Sequence, residues 1–562
     1  MRILILCCVC LGLMAASRFV GPRGPSPGVE GAVEYFRKEA VAFAGACTGL
    51  REAAEGPADV GELRQRLALA RLRYKRIESF LEYFFRSSAT IYNRPPKFEA
   101  EDGGMEYQEP VGMQLMESLL YAKTLDRRAL LEQAKAVESS AVDLPALLYG
   151  LKATDRQVLE SLRIELIRVV ALDVTGYEAP LLKSGIGESR AAMEAMEVQL
   201  GPYLEGKRGD SVGSYLDRSL ALLTGDFDGF DRLRFLREAA LPLQRQLGLF
   251  IRERGLELNT TRTLNYSAED IFSPDAFLAA KFPGAAPAPD DVVRRGRRLF
   301  FDSSLSGNGR KACASCHNPA KAFTDGLRVS VELDGHQPLD RNAPTLLYAG
   351  FQFSQFWDGR VKSLEEQIRT VLQNPREMGA TEVREEDVKA IAAYVRSLRP
   401  MNSAFDHFLR GSGELSAAAR RGANLFMGKA QCATCHFIPL FNGLIPPDYA
   451  VTEFEVLGTT ADDDFRHPRL SPDSGRYGPY PLPFFRGAFK TPTVRNAALT
   501  APYMHNGGFG SLATVIQFYN NGGGAGMGLA VPDQTLSADS LRLSTAEMND
   551  IVLFIHTLTD SL

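Results

Sequence analysis

The sequence predicts a mainly α protein, with an N-terminal helical bundle followed by two copies of a small helical unit. Three observations carry this. Apolar residues recur at helical spacing through most of residues 28–265. A Pro- and Gly-bearing stretch at 273–290 then interrupts the pattern. Beyond it, a helix, a C-x-x-C-H motif and a closing amphipathic helix occur twice in the same order.

The chain has 562 residues, which at about 150 residues per domain suggests two to four domains. Hydrophobic residues at 45% and charged residues at 23% are values of a folded protein, not a disordered one. A formal charge of −4 gives no electrostatic case for a nucleic-acid partner or an anionic membrane surface.

The first residues read MRILILCCVCLGLMAAS: a basic Arg2, an apolar run over 3–14, and small residues at Ala15-Ala16-Ser17. This is the grammar of a secretory signal peptide, residues 1–17, which implies export to the periplasm. An uncleaved membrane anchor is the alternative, although the apolar run is short for a span. None of Cys7, Cys8 or Cys10 follows the run of small residues a lipoprotein needs. Of eight cysteines, Cys47, Cys313, Cys316, Cys432 and Cys435 then remain.

Residues 18–272 read as the helical N-terminal domain. In GELRQRLALARLRYKRIESFLEYFF (61–85), Leu63, Leu67, Leu69, Leu72, Ile77, Leu81 and Phe84 fall at helical intervals. Gly112-Met113-Gln114-Leu115-Met116-Glu117 resembles the G-x-H-x-x-E segment of imelysin-like helical proteins. Gln114 replaces the histidine there, so a helix start is the better reading. Cys47 reads as a small buried apolar residue, and 273–290 as a linker.

The repeat comes next. Arg294-Arg295-Gly296-Arg297-Arg298-Leu299-Phe300 leads to Cys313-Ala-Ser-Cys316-His317, and Arg420-Arg421-Gly422-Ala423-Asn424-Leu425-Phe426 leads to Cys432-Ala-Thr-Cys435-His436. Closing helices carry Ile391, Tyr394, Val395 and Leu398 in one copy and Ile551, Phe554, Ile555 and Leu558 in the other, at the same spacing. Duplicated domains over 273–400 and 401–562 follow.

C-x-x-C-H is the attachment sequence of a c-type haem. Both thiols add across the porphyrin vinyl groups, and the histidine is placed to ligate iron. A zinc site would need further ligands nearby. A redox dithiol would sit in a βαβ pattern and has no use for the histidine, and a disulfide is the remaining alternative. The duplicated motif in matching flanks predicts two covalently bound haem c groups.

Between and after the motifs, RNAPTLLYAGFQFSQFWDGRVKSLEEQIRTVLQNPREMG (341–379) and KTPTVRNAALTAPYMHNGGFGSLATVIQFYNNGG (490–523) closely resemble the bacterial dihaem cytochrome c peroxidases and the related MauG enzymes. The resemblance covers roughly 280–562. It implies that His317 is the proximal ligand of a peroxidatic haem and His436 that of an electron-transfer haem. It implies Glu377 as the distal acid–base residue, Gln367 beside it, and Trp357 as the electron relay between the haems. Asn342, with the carbonyls of Thr500 and Pro502, would bind Ca2+, for which hard oxygen donors are suited.

His336 would ligate the first iron at rest. Its spacing to Arg341 is two residues short of the family's pattern, so a loop histidine is the alternative. The peroxidases place a methionine fourteen residues after the position of His505; here Tyr519 stands there, as in MauG. Met504, Met527 and Met548 are competing ligands, while His407, His467 and His556 fit no ligand pattern. A phenolate favours ferric iron where a thioether favours ferrous.

The resemblance therefore implies a peroxidase that reduces hydrogen peroxide to water with electrons from a small cytochrome c or cupredoxin. It also admits a homodimer. A MauG-like oxidase modifying a protein substrate is the second reading, favoured by Tyr519. A non-catalytic dihaem electron carrier is the third, and it leaves Glu377 and Gln367 without a purpose.

Overall fold

The structure is a computed structural model that describes residues 25–100, 107–204 and 211–561. The proposed signal peptide lies outside the described residues. Among those described, no helix is long and apolar enough to cross a membrane.

The chain is mainly α-helical. Two short antiparallel ribbons, Glu99–Ala100 with Tyr107–Gln108 and Phe454–Val456 with Ala488–Lys490, are its paired strands among the described residues. The first helix, Pro27–Glu55, starts where the sequence lets it. Pro27 fits the first turn, and the Ser26 side chain accepts from the Val29 N–H. Asp59, Asp126 and Thr154 cap Val60–Lys75, Arg127–Asp143 and Asp155–Arg168 in the same way. A helix does begin after Gly112, over Met113–Tyr121. Gln114 there donates to the Asn93 carbonyl at 3.0 Å.

The periodic run 61–85 is not one helix. It breaks at Arg76-Ile77 into Val60–Lys75 and Glu78–Phe84. The break places Lys75 among Glu78, Asp173 and Glu178, at 2.7, 2.8 and 2.5 Å, while Arg71 grips Glu188 through two nitrogens at 2.8 and 2.9 Å. Such buried charges persist only when paired. Local spacing offers Lys75 only Glu78, three residues on; Asp173, Glu178 and Glu188 lie about a hundred residues away.

Two large buried apolar clusters form among the described residues, beside a small third one of Leu372, Met378 and Val388. One joins Val29 to Val158 and includes Phe36, Phe43, Cys47, Tyr74 and Tyr92. The other runs without a break from Leu159 to Leu558. The stretch read as a linker is part of that second core. Phe277 and Phe282 are buried, with their rings 5.2 Å from those of Tyr449 and Phe351 respectively. Proline and glycine mark irregular backbone there, but the aromatics between them have a core to enter.

The duplication is visible in how each copy crosses its two helices. Asp290–Phe300 packs on Glu385–Ser397, and Ala417–Met427 on Thr545–Thr557. A Cβ on Gly296 would lie 1.8 Å from the Ala390 carbonyl oxygen; on Gly422, 1.9 Å from that of Asp550. Four residues on, Tyr394 and Phe554 are the next neighbours of each glycine. The glycine of each Arg-Arg-Gly is thus where two backbones touch, and no side chain fits.

Candidate haem sites

The first C-x-x-C-H forms one helical turn, Cys313–Cys316, with the His317 N–H on the Cys313 carbonyl at 2.9 Å. His317 Nδ1 lies 3.1 Å from the Phe323 carbonyl, which left-handed backbone at Ala322 and Phe323 turns back toward it. The Pro344 carbonyl also faces this imidazole. In the second copy, His436 Nδ1 lies 3.0 Å from the Pro492 carbonyl and 3.3 Å from that of Phe441. Thr345 ties the first cradle by donating to the Ala322 carbonyl at 2.6 Å, and Thr493 ties the second by donating to that of Leu440 at 2.7 Å.

Each imidazole therefore meets a Phe and a Pro carbonyl, and a Pro-Thr pair braces each cradle. The signal for this was in the sequence as Pro344-Thr345 and Pro492-Thr493, and spacing analysis did not extract it. With Nδ1–H donating to a carbonyl, Nε2 is left with its lone pair, the arrangement a metal-ligating histidine needs. Burial lowers the pKa of both histidines, so both stay neutral.

Cys313, Cys316, Cys432 and Cys435 are free thiols. Among the described residues, no three His, Cys, Asp or Glu side chains converge to hold a bare metal ion. Two reduced thiols and a pre-oriented imidazole per motif fit a covalently attached haem.

The Glu377 segment is a turn after the helix Leu364–Gln373. The Glu377, Met378 and Gly379 N–H groups all point to the Asn374 carbonyl, at 3.0, 3.1 and 2.8 Å. Buried Met378 and the Gly307 N–H, which donates to the Met378 carbonyl at 2.7 Å, hold it in place. Burial raises the Glu377 pKa, and the cations Arg360 and Lys311 oppose that rise. The Glu377 carboxyl also raises the pKa of the Cys316 thiol, so the two lie within electrostatic reach of each other. Gln367 is half-buried on the helix that leads into this turn.

Trp357 is half-buried and donates from Nε1 to the Asn342 carbonyl at 2.9 Å; its own carbonyl accepts from the Lys490 N–H at 2.7 Å. Next to it, Asp358 binds Arg341 at 2.6 Å and Arg360 at 2.9 Å, so the guanidinium that faces Glu377 is fixed from the tryptophan turn. Burial lowers the Lys490 pKa to about 7. The Asn342 N–H donates to the His505 carbonyl at 2.8 Å, and the His505 ring stacks on Phe489 at 3.7 Å.

Other expected residues are placed as follows. The Asn342 side-chain amide donates to the Leu327 and Arg328 carbonyls, at 3.0 and 3.3 Å. Thr500 and Pro502 follow the short turn Ala497–Leu499. His336 is exposed at a hairpin tip, with its N–H on Asp334 at 3.0 Å. Tyr519 projects from the helix Leu512–Asn520. Burial raises its pKa, and Cys435, Cys432 and Glu455 add to the rise, so the fold brings this phenol to the second motif. The Met548 sulfur accepts from Asn520 at 3.8 Å. His407, His467 and His556 are exposed.

Sequence reasoning missed Lys97, Glu453 and Glu455. Lys97 Nζ binds Glu453 and, at 3.3 Å, Glu455; Glu455 lies 3.4 Å from the Cys435 sulfur. Burial pushes Glu453 up to about 8, while Lys97 holds Glu455 below the usual carboxylate range. Glu453 and Glu455 alternate about a strand residue, a weak local signal. Lys97 lies over 350 residues away and gave none.

These features define a helical protein with two c-type haem attachment sites. The model of the family described as di-haem cytochrome c peroxidase matches residues 290–388. A cytochrome-c peroxidase of Denitromonas iodatirespirans is 32% identical over 321 residues, 49% of this chain and 84% of the relative. A methylamine utilization protein MauG of Methylorubrum extorquens is 31% identical over 334 residues, 53% and 88% of the two chains. Among solved structures, a MauG-like protein associated with microbial copper homeostasis is similar, with 32% identity and a TM-score of 0.44, over 50% of this chain and 91% of that one. The chain belongs to the dihaem cytochrome c peroxidase/MauG family, whose members carry two c-type haems and act as peroxidase- or oxidase-type oxidoreductases.

Proposed function

We infer that this chain is an exported dihaem enzyme that reduces hydrogen peroxide to water at the His317 site. Electrons reach it from a small cytochrome c or cupredoxin by way of the His436 site and Trp357. The observation that supports this best is Glu377: a carboxyl with a burial-raised pKa, on a braced turn beside the first attachment motif, faced by Arg360 and Lys311.

Cys313, Cys316 and His317 would hold one haem, and Cys432, Cys435 and His436 the other. When bound, the group supplies an iron able to exchange electrons with peroxide. The chain supplies the proton handling. The Glu377 carboxylate takes a proton from the incoming peroxide oxygen, and its acid form returns one to the departing oxygen, a transfer worth about 10²–10⁴-fold in rate. Arg360, fixed by Asp358, steadies the ionised form. Gln367, on the same helix-to-turn segment, would line the peroxide pocket. Asn342 with the Thr500 and Pro502 carbonyls is proposed to bind Ca2+ between units spanning 273–400 and 401–562, and His336 to reach the first iron only in a resting state.

Glu377→Gln tests the assignment: peroxide turnover with a reduced small cytochrome c falls by about 10²-fold or more while both haems stay attached. Unchanged turnover removes Glu377 from the mechanism.

A second reading, an oxidase that uses peroxide equivalents on a protein substrate, is favoured by Tyr519 beside Cys432 and Cys435. A phenolate ligand lowers the potential of the second haem and suits it to sharing oxidising equivalents. Tyr519→Phe decides: the second haem's ligand bands move if Tyr519 is the ligand and stay if it is not.

A further inference from the structure

The N-terminal helical part has no role in the reading above, yet it grips the second attachment motif at several points. The Tyr177 ring meets that of Phe437, next to His436, edge-on at 5.2 Å. Gln431, next to Cys432, donates to the Pro180 carbonyl at 3.0 Å. Asn424, on the helix before the motif, donates to Asp231 and accepts from the Leu233 N–H, both at 3.0 Å. Phe98 stacks on Phe484 at 5.2 Å and 17°. Beside Phe98, Lys97 reaches Glu453 and Glu455.

The Lys97 contact has a chemical consequence once a haem is tethered. Before attachment, the Cys435 thiol is 3.4 Å from Glu455 and donates to it. Thioether formation replaces that S–H with an S–C bond, and the sulfur has no proton left to donate. Glu455 then keeps Thr535 and Glu453 as hydrogen-bond partners, and Lys97, which it shares with Glu453, as its positive charge. All three side chains are largely buried, at 20, 9 and 5% exposure for Lys97, Glu455 and Glu453, so water screens the charge poorly. A haem's reduction potential responds to such fixed local charge, because oxidation adds one positive charge to the iron.

We propose that the N-terminal helical part is a built-in component of the second haem site, with Lys97 as the positioning residue that sets the charge beside Cys435 and hence the reduction potential of the haem tethered there. This rests on haem being carried at Cys432 and Cys435, which haem content and mass of the same samples report separately.

The experiment is a spectroelectrochemical titration of full-length, dihaem-loaded protein. In Lys97→Met the Glu453–Glu455 pair, in which Glu455 carries the negative charge, loses its counter-charge. The ratio of reduced to oxidised second haem at fixed potential then falls about tenfold, a shift of about 59 mV for one electron. The first haem stays where it was, and Lys97→Arg restores the second. Should Lys97→Met fail to retain two haems, Glu455→Gln serves. Losing a negative charge raises the same ratio, again at the second haem alone. A second haem that does not move in the loaded variant, or two haems that move equally, overturns the proposal.

Discussion

The two attachment sites share one cradle and differ in what lies beyond it. In both, a Phe and a Pro carbonyl face the histidine and a Pro-Thr pair braces the loop. In both, a glycine lets the flanking helices touch. Past the cradle, the first site has a carboxyl under two cations, Glu377 with Arg360 and Lys311. The second has a phenol, Tyr519, and the N-terminal part packed over its attachment segment. The two copies thus share what holds a histidine, while their surroundings differ: a buried carboxyl opposed by cations at one, a phenol and a buried Lys97–Glu453–Glu455 cluster at the other. Under the proposed function, one scaffold would give two chemistries, because a haem's behaviour is set by its far ligand, nearby charge and burial.

The largest expected effect tests the reactive side of that contrast. Glu377→Gln lowers peroxide turnover by about 10²–10⁴-fold, with electron uptake by the second haem unchanged in stopped-flow reduction. Its pH signature follows from sign. Burial raises the Glu377 pKa, so the fraction able to accept a proton grows only above the ordinary carboxylate range. The acid limb of the pH–rate profile therefore lies above that range and vanishes in Glu377→Gln.

Next in size is the brace peculiar to the second copy. Asp406 binds Arg495 through two bonds of 2.8 Å, and both side chains are fully buried. Asp406→Asn strands a buried guanidinium and costs about 3–5 kcal/mol in denaturant unfolding. Arg495 holds the folded Asp406 pKa below its ordinary value. Its stabilisation is therefore full above the unfolded pKa and lost as pH falls through the folded one. Acid unfolding of wild type then loses the second haem's environment before that of the first.

The smallest effect tests the shared element. Gly296→Ala and Gly422→Ala each force a methyl toward a carbonyl, at 1.8 and 1.9 Å before any shift. Each costs about 1–3 kcal/mol as the helices separate. The costs are similar, and each falls on its own copy. Unequal costs would mean that one crossing relaxes more readily than the other.

Much of this was legible beforehand. The mainly helical class, the repeat and the C-x-x-C-H pairs rest on local spacing, and the structure shows the helices. The break at Arg76-Ile77 was not legible, because the apolar periodicity continues across it while the buried ion cluster beside it draws on partners about a hundred residues away. Nor was the burial of Phe277 and Phe282, since proline and glycine report backbone irregularity and say nothing about which core a neighbouring aromatic enters.

By itself, then, the sequence determined what depends on neighbours along the chain: helices and their caps, the thiol pair one turn apart, the histidine that follows it. These are matters of covalent reach and repeat, readable over a few residues. The tertiary structure decided the charges. Glu377 gains its environment from Arg360 and Lys311, and Glu455 from a lysine in the other half of the chain. A charged residue reads as solvated until folding removes the water. Which charges then meet depends on packing that no local pattern encodes.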